Sequence, residues 1–180
     1  MYCVNAARNL FQEEPIMAFA SSQMKDGTDD TTSALLHFPH GRIAQFMVSN
    51  SIAGVSSYRI VGTEGDLRVE PAYEYTDKIE HHLTLEAKTS TQTFAKRDQF
   101  APELEYFSRC ILEDRAPEPD AEEAIDDIAV IEALFASAKS GAPVQLTPRK
   151  RIRRPSLAQE SKKRAVGKQE TINAPSPSLK

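Results

Sequence analysis

The stretch Tyr58-Arg-Ile-Val-Gly62-Thr-Glu-Gly65-Asp-Leu-Arg-Val-Glu70 decides how this chain is read. Two β-rich runs, residues 58–61 and 67–69, flank Gly62-Thr-Glu-Gly65. Tyr58 and Ile60 fall on one strand face and Arg59 and Val61 on the other, while Leu67 and Val69 alternate with Arg68 and Glu70. The spacing predicts a hairpin, with the two glycines expected to supply the positive-φ positions of a tight turn. A phosphate-cradling loop does not fit. Such a loop carries Gly-Lys-Ser/Thr and opens a helix, whereas Asp66-Leu-Arg-Val opens a strand.

Working outward, the same two-residue alternation continues on both sides. Residues 16–24 lie between Pro15 and the turn cluster Asp26-Gly-Thr-Asp-Asp30. Thr32, Ala34, Leu36 and Phe38 share one face of the next run, which stops at Pro39-His-Gly41, and Ala44, Phe46 and Val48 alternate on the run after it. Connections this short make neighbouring strands antiparallel. Residues 79–87 and 91–96 read as two more strands. The period then changes. Leu104, Phe107, Cys110 and Ile111 share one face of a helix over residues 100–113. Ile125, Ile128, Ala129, Glu132 and Phe135 follow helical spacing over residues 120–140, between an N-cap at Asp120 and a stop at Gly141-Ala-Pro143. Val4, Ala7 and Phe11 mark a short N-terminal helix that Glu13-Glu14-Pro15 ends. Strands followed by helices predict an α+β fold: an open, predominantly antiparallel β-sheet with helices on one face and the other face available to a partner.

Composition bounds the function. With 180 residues the chain has room for one domain with a real core, and no apolar run approaches the roughly 20 residues that span a bilayer. No secretory pattern opens the sequence, so a cytoplasmic protein without a membrane partner is expected. Cys3 and Cys110 lack metal-ligand spacing and are expected to be reduced thiols. Residues 148–180 hold ten Lys/Arg against two Asp/Glu, and residues 1–147 hold twelve against twenty-four. We therefore expect an acidic α+β substrate-binding and oligomerisation domain over 1–147 and a basic disordered tail over 148–180, held loosely near the acidic body. An acidic body repels nucleic acid.

Few residues are arranged for chemistry. His81 and His82 are adjacent in a strand and point to opposite faces, no paired His/Cys spacing exists, and no metal site is expected. No G-x-S-x-G or G-x-G-x-x-G occurs, so neither a nucleophile elbow nor a Rossmann domain is present in the sequence. The acidic run Glu118-Pro-Asp-Ala-Glu-Glu-Ala-Ile-Asp-Asp127 sits on the first turns of a helix, where negative charge suits the macrodipole. One polar set stands out: Tyr2, Asn5 and Arg8, each three residues apart on the N-terminal helix, read as lying away from the Val4/Ala7/Phe11 stripe. A phenol, an amide and a guanidinium on one face can bind and protonate a sugar hydroxyl; an ordinary solvent face gives the same spacing.

With Tyr2-Cys-Val-Asn5-Ala-Ala-Arg8 in view, the chain resembles the C-terminal domain of the glucose–fructose oxidoreductase/inositol dehydrogenase family (Gfo/Idh/MocA). Tyr2, Asn5 and Arg8 fall on a family motif of His or Tyr, then Asp/Asn three and Arg six residues later. The strand–Gly62-x-x-Gly65–strand hairpin, Pro71-Ala-Tyr73, and the ending Ser137-Ala-Lys-Ser-Gly141-Ala-Pro-Val144-Gln-Leu146 match further motifs, so the resemblance covers residues 1–148. It implies the substrate-binding and assembly half of an NAD(P)-dependent sugar oxidoreductase of glucose–fructose oxidoreductase type. Tyr2 would be the catalytic residue that exchanges a proton with the sugar, and Asn5 and Arg8 would bind substrate. The cofactor, NADP or NAD, would sit on a separate nucleotide-binding domain that also supplies a Lys, and none is expected to bind this chain alone. The implied partners are a sugar-type small molecule, that nucleotide-binding domain and a second copy of the chain through the sheet face. The Rossmann half, its Lys and the motif Asp before Tyr2 are absent from the sequence, so the chain on its own is expected to be inactive. A non-catalytic, sheet-mediated binding or oligomerisation module is the alternative.

Overall fold

A computed structural model describes residues 1–73, 77–149 and 154–156, and the chain divides into two compact units. The first contains residues 1–52 and the described residues from 116 onward; the second contains residues 53–115. The expected disordered tail, 148–180, falls mostly outside the described residues.

The first unit is helix α1 (Tyr2–Phe11), strands β1 (Met17–Lys25), β2 (Thr28–His37) and β3 (Ile43–Ser49), helix α3 (Ala121–Ser140) and the short strand β8 (Val144–Gln145). The strands form one antiparallel sheet in the order β3-β2-β1-β8. Alternation sends Ala18, Ala20, Ala34, Leu36 and Phe38 to one face, where they meet Val4 and Ala7 of α1 and Val130, Ala133 and Leu134 of α3 in a continuous core. Leu36 and Phe38 are fully or almost fully buried, each worth about 2–3 kcal/mol of transfer free energy. The small Ala18 and Ala20 leave room for α3. Where β8 has ended, the Ala20 N–H donates instead to Ser137 Oγ on α3 at 3.0 Å, and that hydroxyl donates to the Ala142 carbonyl at 2.8 Å. One buried serine thus ties the helix to the sheet edge.

Helix α3 begins and ends as its sequence predicts. Asp120 Oδ1 accepts from the Glu123 N–H at 2.9 Å, and Gly141 takes a left-handed φ of 69° and returns its N–H to the Ser137 carbonyl. Its buried face is not the one marked by Ile125, Ile128, Ala129, Glu132 and Phe135, all of which are exposed. Glu123, Asp126, Asp127, Val130, Ala133, Leu134 and Ser137 face inward. The small and charged residues win because the sheet beneath is lined with alanine and because, as shown below, a buried cation waits at the N-terminal end.

The second unit holds β4 (Tyr58–Val61), β5 (Gly65–Glu70), β6 (Ile79–Leu85), β7 (Lys88–Phe94) and helix α2 (Phe100–Leu112). The strands pair antiparallel in the order β4-β5-β6-β7. The α+β, antiparallel reading therefore holds, with the strands divided between two sheets. The central hairpin forms, and Gly62 N–H donates to the Gly65 carbonyl at 2.8 Å, yet neither glycine has a positive φ. Gly65 is required for a different reason. A Cβ there would lie 2.0 Å from the Thr84 carbonyl oxygen of β6. The β6–β7 connection is tighter than its sequence suggests: Glu86 and Ala87 (φ 48° and 60°) form a two-residue turn without Gly or Asn, so β7 starts at Lys88 rather than at residue 91. On α2 only Cys110 of the expected apolar face is buried; Leu104, Phe107 and Ile111 are exposed.

Candidate functional site

The three polar residues of α1 do not share one environment. At 3.6 residues per turn, each three-residue step turns back by about 60°, so Tyr2 and Arg8 differ by about 120° around the helix. Tyr2 is 72% exposed, Asn5 is exposed, and Arg8 is 0% exposed. The expected polar stripe is therefore corrected at its lower end. Arg8 stands four residues after Val4, on the same face as that core residue, and points inward with it.

A buried guanidinium needs charge and acceptors, and the sequence supplies both. Arg8 donates from Nε and Nη2 to the two carboxylate oxygens of Glu14, at 2.6 and 2.8 Å, in the bidentate fork that suits guanidinium and carboxylate. Its Nη1 donates to Asp127 Oδ1 at 2.5 Å and to the Glu123 carbonyl at 3.2 Å, with Glu123 Oε1 at 3.0 Å. Asp126 Oδ2 lies 3.6 Å from Nη2. The carboxylates come from the loop after α1 and from positions i, i+3 and i+4 on the first turns of α3. The acidic run of α3 is thus not a solvated, dipole-matching face alone. That one-sided spacing was the signal in the sequence for a buried cation.

Burial works against the charged form of Arg8, but hydrogen bonds and charge from Glu14 and Asp127 outweigh it and hold the guanidinium above its ordinary value. For Glu14, burial raises the carboxyl, and the Arg8 hydrogen bond with the charges of Arg8 and Arg154 wins, leaving it below the usual carboxylate range.

The network reaches the surface through Asn5, whose Nδ2 donates to Asp127 Oδ2 at 3.0 Å. Asp127 is thus gripped on one oxygen by Arg8 and presents the other to Asn5, which fixes the amide next to the exposed Tyr2 one turn earlier. The far end of α1 is also held. Arg42 donates to the Phe11 carbonyl at 3.1 Å, lies over the Phe11 ring at 5.3 Å and pairs with Glu13, while Phe11 meets Phe38 edge-on at 4.8 Å. Helix α1 is thus held at both ends by contacts within the first unit.

Among the described residues, no group of three or more His, Cys, Asp or Glu is placed to hold a metal. The one glycine-rich connection spends its Gly62 N–H on Gly65, and Gly65 packs against β6 backbone rather than opening a cradle. Among the described residues, no helix is long and apolar enough to cross a membrane.

The first unit is thus an antiparallel sheet whose N-terminal helix presents Tyr2 and Asn5 at the surface over a buried Arg8. The profile of the oxidoreductase family, C-terminal alpha/beta domain (Gfo/Idh/MocA), matches residues 1–146, and the chain belongs to that family. It is 30% identical over 152 residues to a D-xylose 1-dehydrogenase [NADP(+)] of Haloarcula marismortui, covering 81% of this chain and 42% of the relative. It is 31% identical over 149 residues to D-xylose 1-dehydrogenase (NADP(+)) 2 of Haloferax volcanii, covering 81% and 46%. The chain spans less than half the length of both curated relatives. An aldose–aldose oxidoreductase of Caulobacter crescentus, solved with glycerol, superposes with a TM-score of 0.73 at 29% identity, over 81% of this chain and 45% of that one. A 3-ketoreductase of Actinomadura kijaniata, at 18% identity and a TM-score of 0.69 over 76% and 44%, shares the fold.

Proposed function

We propose that this chain is the sugar-facing domain of an NAD(P)-dependent oxidoreductase acting on an aldose, and that α1 carries its contribution to the chemistry. The observation that carries this reading is the chain Arg8–Asp127–Asn5, which fixes an exposed amide one helical turn from an exposed phenol. Tyr2 exchanges a proton with the sugar. Toward reduction, its Oη–H goes to the carbonyl oxygen; toward oxidation, the phenolate takes the hydroxyl proton. Asn5 binds a neighbouring hydroxyl. Arg8, expected from the resemblance to bind substrate, acts as a positioning residue through Asp127. The nicotinamide chemistry belongs to a separate nucleotide-binding domain. The names of the archaeal relatives and of the Caulobacter enzyme support an aldose as the substrate class.

The test is a pair of titrations of the isotope-labelled chain. D-Xylose or D-glucose is expected to shift the Tyr2 and Asn5 resonances, and NADPH, followed by its own fluorescence because the protein has no Trp, is expected not to bind saturably. Saturable NADPH binding with silent α1 resonances would overturn the assignment and favour a different use of the sheet.

The helix-free face of the first sheet supports an assembly role. Met17 and Ile43 flank His37 in one cross-strand row, Phe19 and Leu35 stand opposite in the next, and Met47 lies in a third, with Phe19, Ile43 and Met47 exposed. A second copy is the occupant we propose, because a two-fold pair buries the same rows on both sides; a stable contact needs on the order of 1,600 Å² in total. Light scattering that shows only monomer at high micromolar concentration would contradict it.

A further inference from the structure

The basic segment that follows the domain is the motif left unused by the sugar reading, and its described residues do not sit apart from the fold. Arg8 is one positive charge among Glu14, Glu123, Asp126 and Asp127, whose side chains are at most 8% exposed. The N-terminal end of α3 favours some of that negative charge, but three excess charges at low dielectric are costly. Two arginines beyond the family match meet the excess from outside. Arg149 places Nε and Nη2 at 2.8 and 2.6 Å from Asp126 Oδ1 and donates from Nη2 to the Glu122 carbonyl at 3.0 Å. Arg154, 19% exposed, donates to Glu14 Oε1 at 2.5 Å. Asp126 and Glu14 are then each shared between Arg8 inside and an arginine outside. The path is short, because Leu146 N–H is bonded to the Ile16 carbonyl at 2.9 Å, two residues from Glu14.

We propose that Arg149 and Arg154 form a clasp: they seat on the acidic surface shared by α3 and the loop after α1, and so fasten α1 to α3. Its partner is this chain's own acidic patch, whose four buried carboxylates are met by three arginines among the described residues. The clasp rests on contacts within the first unit and does not depend on the sugar reading. Because its arginines lie nearer to solvent than Arg8, salt weakens it while leaving the inner pairs intact.

The full chain carrying Arg149→Ala and Arg154→Ala is compared with one carrying Arg59→Ala and Arg68→Ala, which removes equal charge from exposed pairs of the second unit. Melting at about 20 mM and about 1 M salt, with amide exchange of α1, reads the clasp. The expected loss is about 5 °C at low salt with faster α1 exchange, shrinking by about half or more at high salt, against about 1 °C for the control pair. Equal losses in the two variants, or a loss independent of salt, would overturn the proposal. Should the first variant not fold, trypsin cleavage after Arg149 in the unmodified chain decides. It is expected to be at least about tenfold slower than in a peptide of residues 147–156, with the gap closing in salt; equal rates at low salt would overturn the clasp.

Discussion

Replacing Arg8 by Met removes a fully buried guanidinium and leaves four carboxylates, none more than 8% exposed, facing one another. Breaking a buried ion pair from one side costs about 3–5 kcal/mol, because the remaining charge keeps its desolvation penalty. The four contacts do not add: they share one cation, and Asp127, Asp126 and Glu14 keep their contacts to Asn5, Arg149 and Arg154. We therefore expect a total of about 4 kcal/mol, the middle of the range for a single pair. Against a domain stability of about 5–15 kcal/mol, that is a large fraction. Urea titration by far-UV circular dichroism, with hydrogen exchange on α1 amides, measures it. The pH dependence is the sharper readout. In the unmodified protein Glu14 is held below its ordinary value, so its contribution is fully present above about pH 4.3 and is lost as pH falls through the lower folded value. In Arg8→Met the burial of Glu14 is opposed by Arg154 alone, so its carboxyl rises and the stability lost as pH falls into the acid range shrinks. A cost below about 1 kcal/mol, or an undiminished loss of stability in acid, would refute the reasoning.

Three further substitutions probe single features. Ser137→Ala removes the acceptor of the Ala20 N–H at a buried sheet edge and should cost about 1–3 kcal/mol by chemical denaturation. Gly65→Ala brings a Cβ to 2.0 Å from the Thr84 carbonyl, so β5 or β6 must shift; a loss of about 3 kcal/mol and faster exchange of β6 amides are expected. Ala87→Gly relieves a left-handed φ of 60° in the β6–β7 turn and should stabilise by about 1 kcal/mol in the same assay.

Much of the fold was legible because period and punctuation agree. The two-residue alternation around Leu36 and Phe38, the Asp120 cap and the Gly141 stop each fix an element by local chemistry, and the elements formed where those signals stand. What escaped the sequence depends on neighbours distant along the chain. Gly65 looks like a turn glycine, and its need for hydrogen comes from β6 backbone almost twenty residues later. Glu86-Ala87 carries no turn residue at all, so only the pairing of β6 with β7 forces it into the left-handed region. The exposed Ile128 and the buried Asp126 invert ordinary burial rules because Arg8 sits where α3 begins. The candidate site was half legible. Tyr2 and Asn5 lie at the surface, whereas the drift of a three-residue step carried Arg8 into the interior, where it pairs with Asp127.

The most direct test of the central claim is turnover of an aldose by Tyr2→Phe, in a protein carrying this domain together with a nucleotide-binding domain. Losing a positioned proton donor should lower kcat by about 10²–10⁴-fold while the KM for the sugar changes little. Melting should be unaffected, since Tyr2 is 72% exposed. A variant that keeps kcat within about threefold would show that the sugar proton passes elsewhere and that α1 is scaffold alone.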